Sequence, residues 1–213
     1  MTYGLKKHTL IKTCISLAIF LLSVPHASSD VLRTVLIDSG HGGYDSGIIT
    51  NNLKEKALAV VIARELESLL KAEGKRVFLT RKVDRYFTIE ERISYAIRSQ
   101  IDVFVSIHAT LSEGFSIYVS GFPKTEPSPM QYYSLMSRQR PYLEKSKALA
   151  KTVAEALKRE FNIPVSIREM PMPILNSMGA PAIMVEVPMK GVNYEPGLIA
   201  GAIAQGVFRY ENQ

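Results

Sequence analysis

Val31-Leu32-Arg33-Thr34-Val35-Leu36-Ile37-Asp38-Ser39-Gly40-His41-Gly42-Gly43 is a β-rich, mostly apolar run that stops in a glycine-rich turn. An apolar run of this length bounded by turn residues reads as a buried strand, and the glycines allow the chain to reverse tightly. Outward from it, residues 56–71 place Leu58, Val61, Ile62, Leu66, Leu69 and Leu70 at three- and four-residue steps, with Gly74 beyond, which predicts an amphipathic helix. Residues 77–80 predict a short strand. Thr88 and Glu91 have capping-box spacing ahead of Ile93, Ala96 and Ile97, so a helix is predicted to about Ser99. A continuous apolar strand over 102–107 then ends at His108. Strand, helix, strand, helix, strand with fully apolar strands implies right-handed crossovers on a parallel sheet. The fold class expected is α/β, a single domain with a central, mostly parallel twisted sheet and helices on both faces.

The rest of the chain fits this scheme. A strand is predicted at 115–119, a helix at 145–161, a last buried strand at 183–187, and a closing helix from Pro196 to about Tyr210. Residues 121–141 hold four prolines, Met130, Met136 and two tyrosines without periodicity, and read as an insertion over the sheet. The length, 213 residues, matches about one domain, and 46% hydrophobic residues with a mean hydropathy of +0.05 describe a globular core.

Residues 1–29 combine Lys6, Lys7 and Lys12, an apolar run over 14–24 and the small-residue end Ala27-Ser28-Ser29. This is the build of a secretory signal cleaved near Ser29, and the apolar run is about half the ~20 residues a membrane-spanning helix needs. An uncleaved anchor is the alternative. The mature chain, 30–213, then carries 23 basic against 20 acidic residues, a net +3, too mild an excess to argue for nucleic acid. The one cysteine, Cys14, leaves with the signal, so disulfides, thiolate ligands and a cysteine nucleophile are excluded from the mature protein.

Of four histidines, His8 and His26 also leave, and both that remain, His41 and His108, directly follow apolar strands. In an open α/β sheet ligands bind outside the carboxyl ends of the strands, and neutral imidazole suits zinc. The plainer alternative for each is a satisfied histidine at a strand end. A catalytic zinc takes three protein ligands and leaves a fourth position open, so without cysteine a carboxylate is required. Glu55, just ahead of the helix that returns from the His41 loop, can reach that edge, although an acid at a helix N-terminus is favourable in itself. Glu186 interrupts the otherwise apolar run Ala182-Ile183-Met184-Val185-Glu186-Val187, where a charge is costly unless paired or used.

Val35-Leu36-Ile37-Asp38-Ser39-Gly40-His41-Gly42-Gly43, Lys54-Glu55-Lys56, Leu79-Thr80-Arg81, Val105-Ser106-Ile107-His108-Ala109 and Pro181-Ala182-Ile183-Met184-Val185-Glu186-Val187 together resemble the ordered motifs of the zinc-dependent N-acetylmuramoyl-L-alanine amidases of the amidase_3 family. The resemblance implies Zn2+ held by His41, Glu55 and His108, and a catalytic role for Glu186. It implies hydrolysis of the amide between N-acetylmuramic acid and the L-alanine of the peptidoglycan stem. Asp38 could orient His41, or only cap the turn. Ser39, Thr110 and the segment 188–192 depart from the family pattern, and none is a ligand position.

In some members of that family a helix at the place of the 121–141 insertion covers the site until a partner displaces it. A lid released by a protein activator and a plain surface loop are both consistent with this segment. The readings that compete with the amidase are a non-catalytic zinc-containing wall-binding protein and another zinc peptidase of the wall. The expected partner is peptidoglycan, with no nucleic acid, and the expected state is an exported, periplasmic monomer.

Overall fold

The computed structural model describes residues 34–50, 53–122, 137–190 and 195–213. The signal segment, Cys14, its cleavage point and the middle of the 121–141 insertion lie outside the described residues. The elements in chain order are β1 (Thr34–Ser39), α1 (Glu55–Ala72), β2 (Arg76–Leu79), α2 (Ile89–Ser99), β3 (Val103–Thr110), β4 (Phe115–Ser120), a 3-10 turn (Arg140–Tyr142), α3 (Leu143–Phe161), β5 (Val165–Met170), a one-turn helix α4 (Pro173–Asn176), β6 (Ala182–Pro188) and α5 (Pro196–Glu211).

The six strands form one sheet in the order β2-β1-β3-β6-β4-β5. The first four of these run parallel to one another, while β4 pairs antiparallel with β6 and parallel with β5. The alternating strand and helix pattern is therefore the parallel half of a mixed sheet. The expected α/β class holds, and β5 is an addition the sequence reading did not make. Its residues Val165-Ser166-Ile167-Arg168-Glu169-Met170 mix charge with apolar side chains at the sheet edge and are largely exposed, so they lack the apolar run that marks the buried strands.

Strand side chains alternate between the two faces. Val35, Ile37, Val103, Val105, Ile107, Ile183, Val185 and Val187 pack with α1, α3 and α5 in one core, whereas Leu36, Phe104, Ala182 and Met184 pack with α2 and α4 in a second. Helix α1 buries Leu58, Ile62, Leu66 and Leu70 along one stripe, each worth roughly 1.5–3 kcal/mol relative to exposure. The capping box at α2 is present in full: Glu91 N donates to Thr88 Oγ1 at 3.1 Å, and Thr88 N donates to Glu91 Oε2 at 2.8 Å. Near the end of the 121–141 segment, buried Gln139 donates from its side-chain amide to the Met178 and Ala180 carbonyls, which fixes the approach to β6.

The same alternation puts Asp38, Ser106, His108 and Glu186 on the second face, because Asp38 is in register with Ser106, and His108 with Glu186. Asp38 is buried beneath the strand ends and accepts from Thr80 Oγ1 and Ser106 Oγ, both at 2.8 Å, and from Arg92 Nη1. Burial alone would raise its pKa, but the facing Arg92 guanidinium and the hydroxyl donors outweigh that and hold the carboxyl below the ordinary aspartate value.

A carboxyl held lower in the folded chain than in the unfolded one adds stability that is present above the unfolded pKa and lost as pH falls through the folded one. Replacing Asp38 by Ala leaves the Arg92 charge buried without its partner, and a loss of about 3–5 kcal/mol is expected in urea unfolding near pH 7. For Asp38→Asn, the gap to the parent chain should narrow as the titration is carried from pH 5 down to pH 2. A gap that is constant over that range would contradict the ionic role of Asp38.

Candidate metal and hydrolytic site

The site begins where β1 ends. The chain passes Gly40 and sets His41 in the left-handed region at φ 59°, a conformation costly for a residue with a Cβ. Two buried arginines hold it there. Arg92 Nη2 donates to the His41 carbonyl at 2.7 Å, and Arg92 Nη1 to that of Ser39 at 2.7 Å. Arg81 Nη2 donates to the carbonyls of Gly40 at 2.7 Å and Lys56 at 2.8 Å, which ties the β1 turn to the start of α1.

Glu55 is the first residue of α1 and is only 3% exposed. Its Oε1 lies 3.0 Å from His41 Nε2 and 2.9 Å from His108 Nδ1, and it accepts from the Ala109 amide at 2.9 Å. Its Oε2 accepts from the Ile48 amide at 2.9 Å. Burial opposes the charge of Glu55, but the two imidazoles and the two amides outweigh it and hold the carboxyl far below the ordinary glutamate range. The same contact is the first cause that raises the His41 pKa. The two imidazoles meet edge to face at 4.9 Å between centroids.

Close packing demands glycine twice. A Cβ on Gly40 would sit 2.5 Å from the His108 ring, and one on Gly47 would sit 2.5 Å from Glu55 Oε2 and 2.6 Å from the His41 ring. The far side of His41 is held by Asp45, whose Oδ2 is 2.8 Å from His41 Nδ1 and whose Oδ1 accepts from the Gly47 amide at 3.1 Å. This leaves Nε2 turned toward Glu55.

His41, Glu55 and His108 thus offer three donor atoms within 4.8 Å of one another. Tetrahedral zinc with bonds of about 2.0–2.1 Å separates its ligand atoms by about 3.3 Å, close to the 3.0 and 2.9 Å between Glu55 Oε1 and the facing nitrogens of His41 and His108. Two imidazoles and one carboxylate suit zinc in type as well as number, and a carboxylate such as Asp45 on the outer nitrogen of His41 is the usual support of such a ligand. The donor set fits the metal.

Glu186 stands on β6 beside His108 on β3. It is half-buried, and its Oε2 accepts from the Tyr118 hydroxyl at 3.2 Å. Burial raises its pKa above the ordinary value, and the Tyr118 hydrogen bond and the nearby imidazole of His108 offset this only in part. All four residues singled out in the sequence therefore lie at the carboxyl ends of three adjacent strands and the start of α1. Asp38 does not touch His41; its partners are Thr80, Ser106 and Arg92, and Asp45 has the place beside the imidazole instead. Asp45, Arg92 and Tyr118 were missed by sequence reasoning. For Asp45 the available signal was a carboxylate four residues after a histidine in a glycine turn. Arg92 and Tyr118 sit in periodic elements where nothing distinguishes them.

The chain is similar to known proteins in sequence and in fold. Residues 35–189 match the family model Amidase_3, described as N-acetylmuramoyl-L-alanine amidase. The chain is 29% identical to the N-acetylmuramoyl-L-alanine amidase AmiC of Neisseria meningitidis, over 84% of this chain and 52% of that one. In fold it is similar to the catalytic domain of CwlV, an N-acetylmuramoyl-L-alanine amidase from Bacillus (Paenibacillus) polymyxa, with a TM-score of 0.68, 25% identity, and 85% and 99% of the two chains covered. An N-acetylmuramoyl-L-alanine amidase from Clostridium difficile gives a TM-score of 0.68 and 26% identity over 86% of this chain and 99% of that one. The chain spans about half or less of the length of the curated relatives AmiC of Neisseria meningitidis and LytC of Bacillus subtilis, 52% and 17%. By the family match across most of its length, this chain belongs to the Amidase_3 family.

Proposed function

We propose that this protein is a zinc-dependent N-acetylmuramoyl-L-alanine amidase that hydrolyses the amide between the lactyl group of N-acetylmuramic acid and the L-alanine of the peptidoglycan stem. The observation that carries the reading is the convergence of His41, Glu55 and His108 beside Glu186 in a chain of this family. Zinc is the metal we assign to the triad, through His41 Nε2, His108 Nδ1 and a Glu55 carboxylate oxygen. Bound there, it supplies a Lewis acid beside the scissile amide and makes a neighbouring water more acidic.

The protein's own groups do the rest. Glu186 takes a proton from the attacking water and gives it to the leaving amine of alanine. Burial raises its pKa above the ordinary glutamate value, the direction that favours a group which both takes and returns a proton. Tyr118 holds one carboxylate oxygen and leaves the other for the proton. Asp45 fixes the ring of His41 and its tautomer. Because the amine receives its proton from Glu186, the peptide side of the substrate lies toward β6 and β4, and the lactyl side toward β1 and β2.

Residues 1–29 act in this reading as an export signal, which delivers the enzyme to the periplasm and its wall substrate as a monomer. No helix among the described residues is long and apolar enough to cross a membrane.

Incubating purified peptidoglycan with the zinc-loaded chain and analysing the soluble fraction by mass spectrometry should give free stem peptides that begin with L-alanine, with the glycan uncut. Peptides cut within the stem, or cleaved sugars, would contradict the reading. Glu186→Gln should lower kcat by about 10²- to 10⁴-fold while zinc stays bound. Asp45→Asn should weaken zinc affinity by about 10- to 100-fold in competition with a chelator; an unchanged affinity would remove Asp45 from the account.

A further inference from the structure

The turn that delivers Asp45 to His41 carries a second feature which the hydrolytic reading does not use. Gly42 and Asp45 close a two-residue turn by paired backbone hydrogen bonds of 2.9 and 3.2 Å, so Gly43 and Tyr44 form its tip. Tyr44 is 81% exposed, the most exposed large hydrophobic side chain of the described residues. It is not loose. Its ring lies over that of Tyr86 at 4.3 Å between centroids and a tilt of 30°.

The backbone beneath the two rings is locked together. Gly43, at φ 60°, donates to Asp84 Oδ1 at 2.8 Å, and Lys56 Nζ bridges the Gly43 carbonyl at 2.6 Å and Asp84 Oδ2 at 2.7 Å. A Cβ on Gly43 would stand 2.9 Å from the Tyr86 amide. The two loops therefore present the rings as one rigid aromatic surface at the ends of β1 and β2, one residue from the carboxylate that holds His41.

We propose that Tyr44 and Tyr86 form a sugar subsite that seats the glycan strand on the acyl side of the scissile amide. An exposed aromatic face in water is unfavourable unless something apolar and flat covers it, and the C–H face of a pyranose ring is both. Its hydroxyls stay at the edge, in solvent. Two tyrosines lose little conformational freedom on contact because each has only two side-chain torsions. The direction of the reaction selects the glycan as the occupant. With the peptide leaving on the Glu186 side, the lactyl group and its sugar extend toward β1 and β2, where the tyrosine pair stands. The subsite rests on the amidase reading for its orientation.

The test separates the subsite from the reaction. Isothermal titration of the full chain with a stem-free GlcNAc–MurNAc tetrasaccharide reads sugar binding with no chemistry involved. The parent chain should bind it, Tyr44→Ala should weaken binding about tenfold or more, and Tyr44→Trp should restore it. With stem-bearing glycan as substrate, the loss in Tyr44→Ala should fall on KM rather than kcat. No binding by the parent chain, or equal binding by the parent chain and Tyr44→Ala, would overturn the subsite even where hydrolysis proceeds. Sugar binding that depends on Tyr44 in a chain that releases no stem peptide would sustain the subsite and overturn the amidase reading instead.

Discussion

One buried carboxylate organises the site. Glu55 accepts from two imidazoles and two backbone amides, and these four donors come from three stretches of chain: the turn after β1, the turn before α1, and two successive residues at the end of β3. A glutamate this buried would be far from its preferred state in an apolar surrounding, since desolvation of an isolated charge costs several kcal/mol. Here its charge is the shared acceptor that makes the convergence of His41 and His108 favourable without any other group present. The arrangement resembles a metal site held in readiness, with three ligand atoms within 4.8 Å of one another.

The layer beneath keeps that geometry from relaxing. Asp38, Arg92, Arg81, Thr80 and Ser106 are all buried, and between them they bind the carbonyls of Ser39, Gly40 and His41. This is why His41 can hold a left-handed backbone conformation. Buried ionic groups of this kind add little net stability compared with an apolar core, but removing one partner is severe. Their contribution is to fix a single conformation of the turn. The strand register extends the same order sideways, setting Glu186 beside His108 and Tyr118 near Glu186 across the antiparallel pair.

Much of this was legible in the sequence. Period and composition marked β1, α1, α2, β3, α3, β6 and α5, because each buries an apolar stripe or run. His41 and His108 stood out by inventory and by their place after apolar strands, and Glu186 by its charge in an apolar run. What escaped the sequence follows from geometry. The edge strand β5 has no buried face to impose a pattern, and the reversal of β4 relative to β6 depends on long-range pairing. Asp38 and Asp45 flank His41 at similar distances in sequence, and only the folded turn decides that Asp45 meets the ring while Asp38 points below the sheet. Tyr44 and Tyr86 meet across 42 residues of sequence, a pairing that no local signal reveals.

X-ray absorption spectroscopy of the zinc-loaded chain tests the Glu55-centred account most directly. It predicts one zinc per chain with two imidazole nitrogens and carboxylate oxygen in the first shell at about 2.0–2.2 Å, and loss of that shell in Glu55→Ala. A first shell with fewer than two imidazoles, or an unchanged shell in Glu55→Ala, would contradict it.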